Sequence, residues 1–183
     1  MPIRTLLGLA LTLWIGGWPA PANADAWILI DTRADRLAVI GDEGPLAVFD
    51  HIAIGRGAGI KQRRGDAITP IGSFRVVSVN RASRFHLFLG LDYPNLEHAA
   101  LANRAGKLGD SAFAAIRNAL KQGRTPPQTT ALGGAIGVHG IGGGNPRVHA
   151  ADIDWTNGCI ALTDRQIDRV ATLVKVGARV EIR

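Results

Sequence analysis

The apolar residues of this chain come in short runs, each cut off within a few positions by glycine, proline or a polar turn. Runs of that length favour strands, which need only about four to eight residues, over long helices. The stretch "WILIDTRADRLAVIG" holds two such runs around the polar turn "TRAD" and reads as a hairpin. "PLAVFDHIAIG" is the next expected strand, followed by a loop rich in glycine and basic residues, "RGAGIKQRRGDAITPIG". "SFRVVSVN" alternates polar and apolar residues with β-branched side chains, and "FHLFLGL" is a short apolar strand. Two more short strands are expected in "AIGVHG" and "CIALT", and a last one in "ARVEIR".

Helical spacing occurs in three places. The alanine-rich segment from 94 to about 104 is stopped by Gly106. In "DSAFAAIRNALKQG", Asp110 is the expected cap, Phe113, Ile116 and Leu120 share a face, and Gly123 marks the exit. Near the C-terminus, Thr163 and Gln166 form a T-x-x-Q capping box ahead of Ile167, Val170, Ala171 and Val174, with Gly177 as the stop. The expectation is one β-rich domain carrying a helical insertion at about 94–130 and a C-terminal helix.

At the N-terminus Arg4 precedes an apolar run over 5–18, then helix breakers and the small-residue tripeptide "ANA" ending at Ala24. This pattern predicts a signal peptide over 1–24, with 25–183 as the exported domain in the periplasm or cell wall. The run falls short of the ~20 residues a spanning helix needs, so no stable membrane span is expected after cleavage. The formal net charge of +6 suits an anionic partner such as cell wall, and equally serves solubility. Export and the lack of a basic, aromatic-rich stripe argue against nucleic acid. A monomer is expected.

Cys159 is the only cysteine, which excludes an internal disulfide and leaves an inert thiol, an intermolecular bridge or a nucleophile. It follows Gly158, where the backbone can turn sharply enough for consecutive N–H groups to face one spot. A thiol needs a basic partner, because free cysteine titrates near ~8.5. His139 is the best placed, ending the apolar run "AIGV" ahead of Gly140. Sixteen residues, mostly a glycine-rich loop, separate it from Thr156, so two neighbouring strands joined by that loop would bring their ends together. His51, His86, His98 and His149 read as solvated or packed histidines. "GIGGGNP" lacks the Gly-Lys-Ser/Thr ending of a phosphate cradle. The spacing of His139, His149, Asp152 and Asp154 does not compel a zinc site, and a metal would leave Cys159 without a role. "KQRR" at 61–64 reads as a solvated turn, Thr69, Pro70 and Gly72 as structural turn residues beneath the site, and Arg84 and His86 as candidates to touch substrate carboxylates.

The "VHG" of His139, followed at this spacing by "TNGCIAL", resembles the signature of the L,D-transpeptidase catalytic domain, the YkuD-like family, whose pattern ends in Ser/Thr-His-Gly-Cys. "KQRRGDAITPIGSFRV", "SRFHLFLGLDYPN" and "DWTNGCIALTDRQIDRV…VGARVEI" resemble further segments of that family, covering most of 27–183; the block over about 98–130 is the least family-like. The resemblance implies a mainly β (α+β) fold, a β-sandwich or barrel-like domain. It implies Cys159 as nucleophile, His139 as general base, and the Gly140 carbonyl as the group holding the imidazole. Backbone N–H groups around Asn157, Gly158 and Cys159 would hold the oxyanion, with Thr156 matching the family's Ser/Thr. Asn157 stands where many members carry histidine, and Ala161 where many carry asparagine or arginine. The implied activity is acyl transfer on peptidoglycan stem peptides through a Cys thioester, giving 3→3 cross-links and making the protein a carbapenem target. A second stem or a wall-linked protein would be the acceptor, and no cofactor or metal is implied. Same-site hydrolysis, as a carboxypeptidase or amidase, and a catalytically weakened wall-binding module are the alternatives.

Overall fold

The computed structural model describes residues 26–183, so the signal peptide expected over 1–24 lies outside the described residues. Strands β1 (Trp27–Asp31) and β2 (Arg36–Gly41) form the expected hairpin, and the Asp31 carboxylate closes its turn by accepting from the N–H groups of Arg33 and Ala34. Ile28 and Ile30 alternate inward from β1 and pair in register with Val39 and Leu37, all four fully buried. Burying each such side chain contributes about 1.5–3 kcal/mol. Strand β3 (Gly44–Asp50) continues the meander.

The chain then crosses to β4 (Gly72–Ser83) and β5 (His86–Leu91), runs through helices α1 (Leu96–Arg104) and α2 (Asp110–Lys121), and returns as β6 (Gly137–His139). Helix α3 (Pro146–Ala150) lies between β6 and β7 (Ile160–Ala161), and α4 (Asp164–Leu173) precedes β8 (Arg179–Ile182). The eight strands form one sheet in the order β3-β2-β1-β8-β4-β5-β6-β7. The C-terminal strand thus sits in the middle, parallel to β1 and antiparallel to β4. The long β4 pairs with β8 over its first residues and with β5 from Val76 onward, its register shifting between Val76 and Ser78 and again between Asn80 and Ser83.

The sheet also curls back on itself. Beyond β3, Ala53 bridges Ala161 and Gly55 bridges Thr156, joining the two ends of the strand order as the barrel-like expectation requires. Strands β6 and β7 are parallel, a pairing that demands a crossover; α3 supplies it within what reads in sequence as glycine-rich loop. Asn145 caps α3 and Pro146 stands in its first turn. The capping box of Thr163 and Gln166 is formed as expected, and Ile167 and Val170 of α4 are fully buried. One expectation is corrected: Gly109, not Asp110, is the N-cap of α2. Asp110 is already helical, and its carboxylate accepts from the Asn103 amide at the end of α1.

A second correction concerns "KQRR". Gln62, Arg63 and Arg64 are exposed, but Lys61 is 7% exposed. Its Nζ lies 2.7 Å from Asp66 Oδ1, donates to the Arg63 carbonyl, and sits over the Tyr93 ring. The loop is wrapped around a buried ion pair, which offsets the cost of removing the ammonium from water. Burial alone would raise the Asp66 pKa, but Lys61 and the N–H groups of Arg63, Gln62 and Ile68 outweigh it and hold the carboxyl at about 2.

Lys61→Ala, which strands this carboxylate, is expected to cost about 3 kcal/mol in urea unfolding at neutral pH. Because the folded pKa is depressed, the contribution of ionised Asp66 is complete above about pH 4 and is lost as pH falls toward 2. Asp66→Asn should flatten that acid limb; an unchanged limb would show that the pair does not govern it.

Candidate active site

His139 ends β6, 1% exposed, with its Cα opposite Ala161 of β7. Its imidazole is enclosed by aromatic rings: Phe85 stacks on it at 4.2 Å, Phe88 lies at 6.0 Å, and Trp155 meets it edge-on at 5.9 Å. Nδ1 lies 2.6 Å from the Gly140 carbonyl oxygen. A carbonyl can only accept, so Nδ1 carries the proton and the lone pair is left on Nε2. Burial lowers the His139 pKa; the Gly140 bond opposes this, and Arg84 and His149 add to it. The net result lies below the usual histidine range, so the ring is neutral at neutral pH.

The cysteine is presented by a turn built from its neighbours. Thr156, 4% exposed, donates through Oγ1 to the Cys159 carbonyl at 2.7 Å and accepts from the Gly158 N–H at 3.1 Å. Gly158 has φ +121°, and a Cβ there would come within 2.7 Å of the Ile68 carbonyl oxygen, so only glycine fits. Ile68 belongs to the segment of Thr69 and Pro70, both buried, and Thr69 Oγ1 accepts from the Gly55 N–H; these residues are structural support, as expected.

Cys159 is half-buried and shares with His139 a cleft of about 600 Å³. No hydrogen bond joins the two side chains among the described residues; Sγ donates instead to the Ala135 carbonyl at 3.4 Å. Burial pushes the thiol up to about 11, although the Gly137 N–H and the Lys61 charge act in the opposite direction. Thiol and imidazole are therefore both uncharged at rest. A neutral thiol beside a neutral imidazole is suited to passing its proton to Nε2 as sulfur attacks a carbonyl.

Of the other expected site residues, Arg84, Thr156 and Asn157 line the same cleft. The Arg84 guanidinium rests on the Phe85 ring, 4.6 Å from its centroid. His86 does not line the cleft; its Nε2 lies 2.8 and 2.9 Å from the two carboxylate oxygens of Asp168, which raises its pKa. Gly140 is packed so closely that a Cβ would meet Asp164 Oδ1 at 2.5 Å. Phe85, Phe88 and Trp155 are site residues that the sequence reading missed, and Phe88 was findable only once β5 was known to pair with β6, where it stands opposite His139. His51 pairs with Asp152, His98 packs on Phe74 and Tyr93, and His149 is buried on α3. No cluster of three His, Cys, Asp or Glu groups suited to a metal exists among the described residues.

A family model for the L,D-transpeptidase catalytic domain matches residues 25–182. Among solved structures, the helical cell shape determining protein Pgp2 from Campylobacter jejuni is 22% identical over 87% of this chain and 48% of that one, with a TM-score of 0.57. Bd1075 from Bdellovibrio bacteriovorus is 17% identical over 90% of this chain and 49% of that one, with a TM-score of 0.52. At these identities the likeness establishes a shared fold, and this chain spans about half the length of either protein. No curated protein sequence matches it.

Iodoacetamide alkylation of Cys159 in the free protein should rise with pH through about 11. A midpoint near the ~8.5 of a free thiol would overturn the burial account.

Proposed function

Because the chain belongs to the L,D-transpeptidase catalytic domain family, which acts on peptidoglycan stem peptides, we propose that it is an exported cysteine acyltransferase of the cell wall. The observation that carries this reading is the shared cleft, in which Cys159 lies with a neutral imidazole whose Nδ1 is tied to Gly140. Cys159 Sγ attacks the carbonyl at the L-centre of diaminopimelate as its proton passes to His139 Nε2. The N–H groups of the 157–159 turn hold the oxyanion. Collapse breaks the peptide bond; the leaving D-alanine takes the proton from the imidazolium, and a thioester remains. The Gly140 carbonyl stabilises the imidazolium in between, as a carboxylate does in other triads.

An amine of a second stem then attacks the thioester, yields its proton through His139, and forms a 3→3 cross-link with release of the thiol. The cleaved bond's energy is conserved in the thioester, so no nucleotide is required. Arg84, exposed at the cleft, is the candidate to meet a stem-peptide carboxylate through its guanidinium. A second reading, hydrolysis, has its own support: among the described residues no carboxylate lines the cleft to receive a cationic acceptor, whereas water needs none. Either activity would remodel the wall, and the Campylobacter protein of similar fold is one that determines helical cell shape.

Incubation with a carbapenem should give one covalent adduct by intact mass, absent from Cys159→Ala. No adduct on the wild type would favour a wall-binding module instead. His139→Ala should slow acylation by about 10²-fold or more. Since its pKa is lowered, the wild-type rate should already be level at neutral pH and fall only below the ordinary histidine value of ~6.5. With purified disaccharide-tetrapeptide, dimers that have lost D-alanine mark transfer and tripeptide alone marks hydrolysis.

A further inference from the structure

The segment "IGRGAG" at 54–59 is left without a role by the chemistry above, yet it is built with close tolerances. A Cβ at Gly55 would stand 2.3 Å from the Ala67 carbonyl oxygen, and one at Gly57 would stand 2.2 Å from that of Asp66. The two glycines let this run lie flat against 66–67, where the Gly57 N–H donates to the Ala67 carbonyl at 2.9 Å. Arg56 lies between them, with its N–H on the Thr156 carbonyl at 3.1 Å. Its backbone is therefore fixed beside the turn that carries Cys159, although its side chain is exposed.

From that position Nη1 of Arg56 reaches Asn157 Oδ1 and, at 3.5 Å, the Thr156 carbonyl. A guanidinium has only donors, so the group of Asn157 facing it must be the amide oxygen. The Asn157 amide nitrogen has no partner among the described residues, and Asn157 lines the cleft while Arg56 does not.

Resting on the acyl-transfer reading above, we propose that Arg56 is a positioning residue that locks the side-chain amide of Asn157, so that Nδ2 donates to an acceptor oxygen of the acyl donor. That oxygen belongs either to the reacting carbonyl or to a nearby carboxylate. Asn157 thus binds substrate, and Arg56 acts through it. An unheld amide would present oxygen or nitrogen to the cleft indifferently, and the oxygen would repel either acceptor.

The test is carbapenem acylation of the full mature chain, followed by intact mass over a range of carbapenem concentrations, with iodoacetamide alkylation and melting temperature as controls. Asn157→Ala should slow acylation about tenfold, the worth of one hydrogen bond. Arg56→Ala should lose most of that factor, and the double variant should be no slower than Asn157→Ala. Asn157→Asp keeps a partner for Arg56 but has no amide donor, so it should be as slow as Asn157→Ala; a merely structural contact would be preserved by it. Arg56→Lys, which keeps one donor, should restore the rate. Loss in the limiting rate assigns the acceptor to the reacting carbonyl, and loss in half-saturation assigns it to a carboxylate. Alkylation and melting should not change. Wild-type rates in Arg56→Ala or Asn157→Asp, or additive losses in the double variant, would overturn the proposal while leaving the function standing. A wild type that forms no adduct removes both.

Discussion

The site depends on the backbone hydrogen bonds that close the sheet. Ala53 and Ala161 exchange both of theirs, at 3.0 and 2.7 Å, while Thr156 N–H donates to Ile54 and Arg56 N–H to Thr156. These bonds seat the two-residue strand β7 between β6 and the run beyond β3, so the turn before it is held on both sides. A two-residue strand alone has too few bonds to fix the residue before it. Clamped between two partners, it holds Cys159 in the cleft that His139 also lines.

Burial then sets the chemistry of both groups in the same direction. Removing water disfavours charge, so the imidazole is kept neutral and the thiol protonated. Both shifts disfavour a thiolate–imidazolium pair. The aromatic enclosure of Phe85, Phe88 and Trp155 is the physical source of this, because it excludes solvent from one side of the imidazole. The thiol waits on the Ala135 carbonyl, a weak acceptor contact that a substrate can displace. A protonated thiol is a poor target for oxidants, so the same burial that raises its pKa also protects the sulfur.

The β4–β5 turn shows how support reaches this enclosure from the opposite side. His86 pairs with Asp168 on α4, and the Gly143 N–H donates to the Arg84 carbonyl at 3.0 Å. Between these anchors Phe85 is held on the imidazole and Arg84 at the cleft. His86 therefore serves the turn that carries the site rather than the cleft itself.

The strands, the capping box of Thr163 and Gln166, the adjacency of the strand that ends at His139 and the one that follows Cys159, and the need for glycine at 158 were legible in the residues alone. Each rests on local pattern: alternation, a cap three residues from its partner, a turn at a fixed place before a strand. What the tertiary structure decided lies in contacts between distant residues. Lys61 is buried with its Nζ over the Tyr93 ring; Ala135, 24 positions from Cys159, takes the thiol; and Arg56 reaches Asn157 across 101 positions. A charged or polar side chain reads the same in sequence whether solvent or a partner meets it. Only tertiary contact chooses between them, because that is where the desolvation cost and the compensating hydrogen bond both arise.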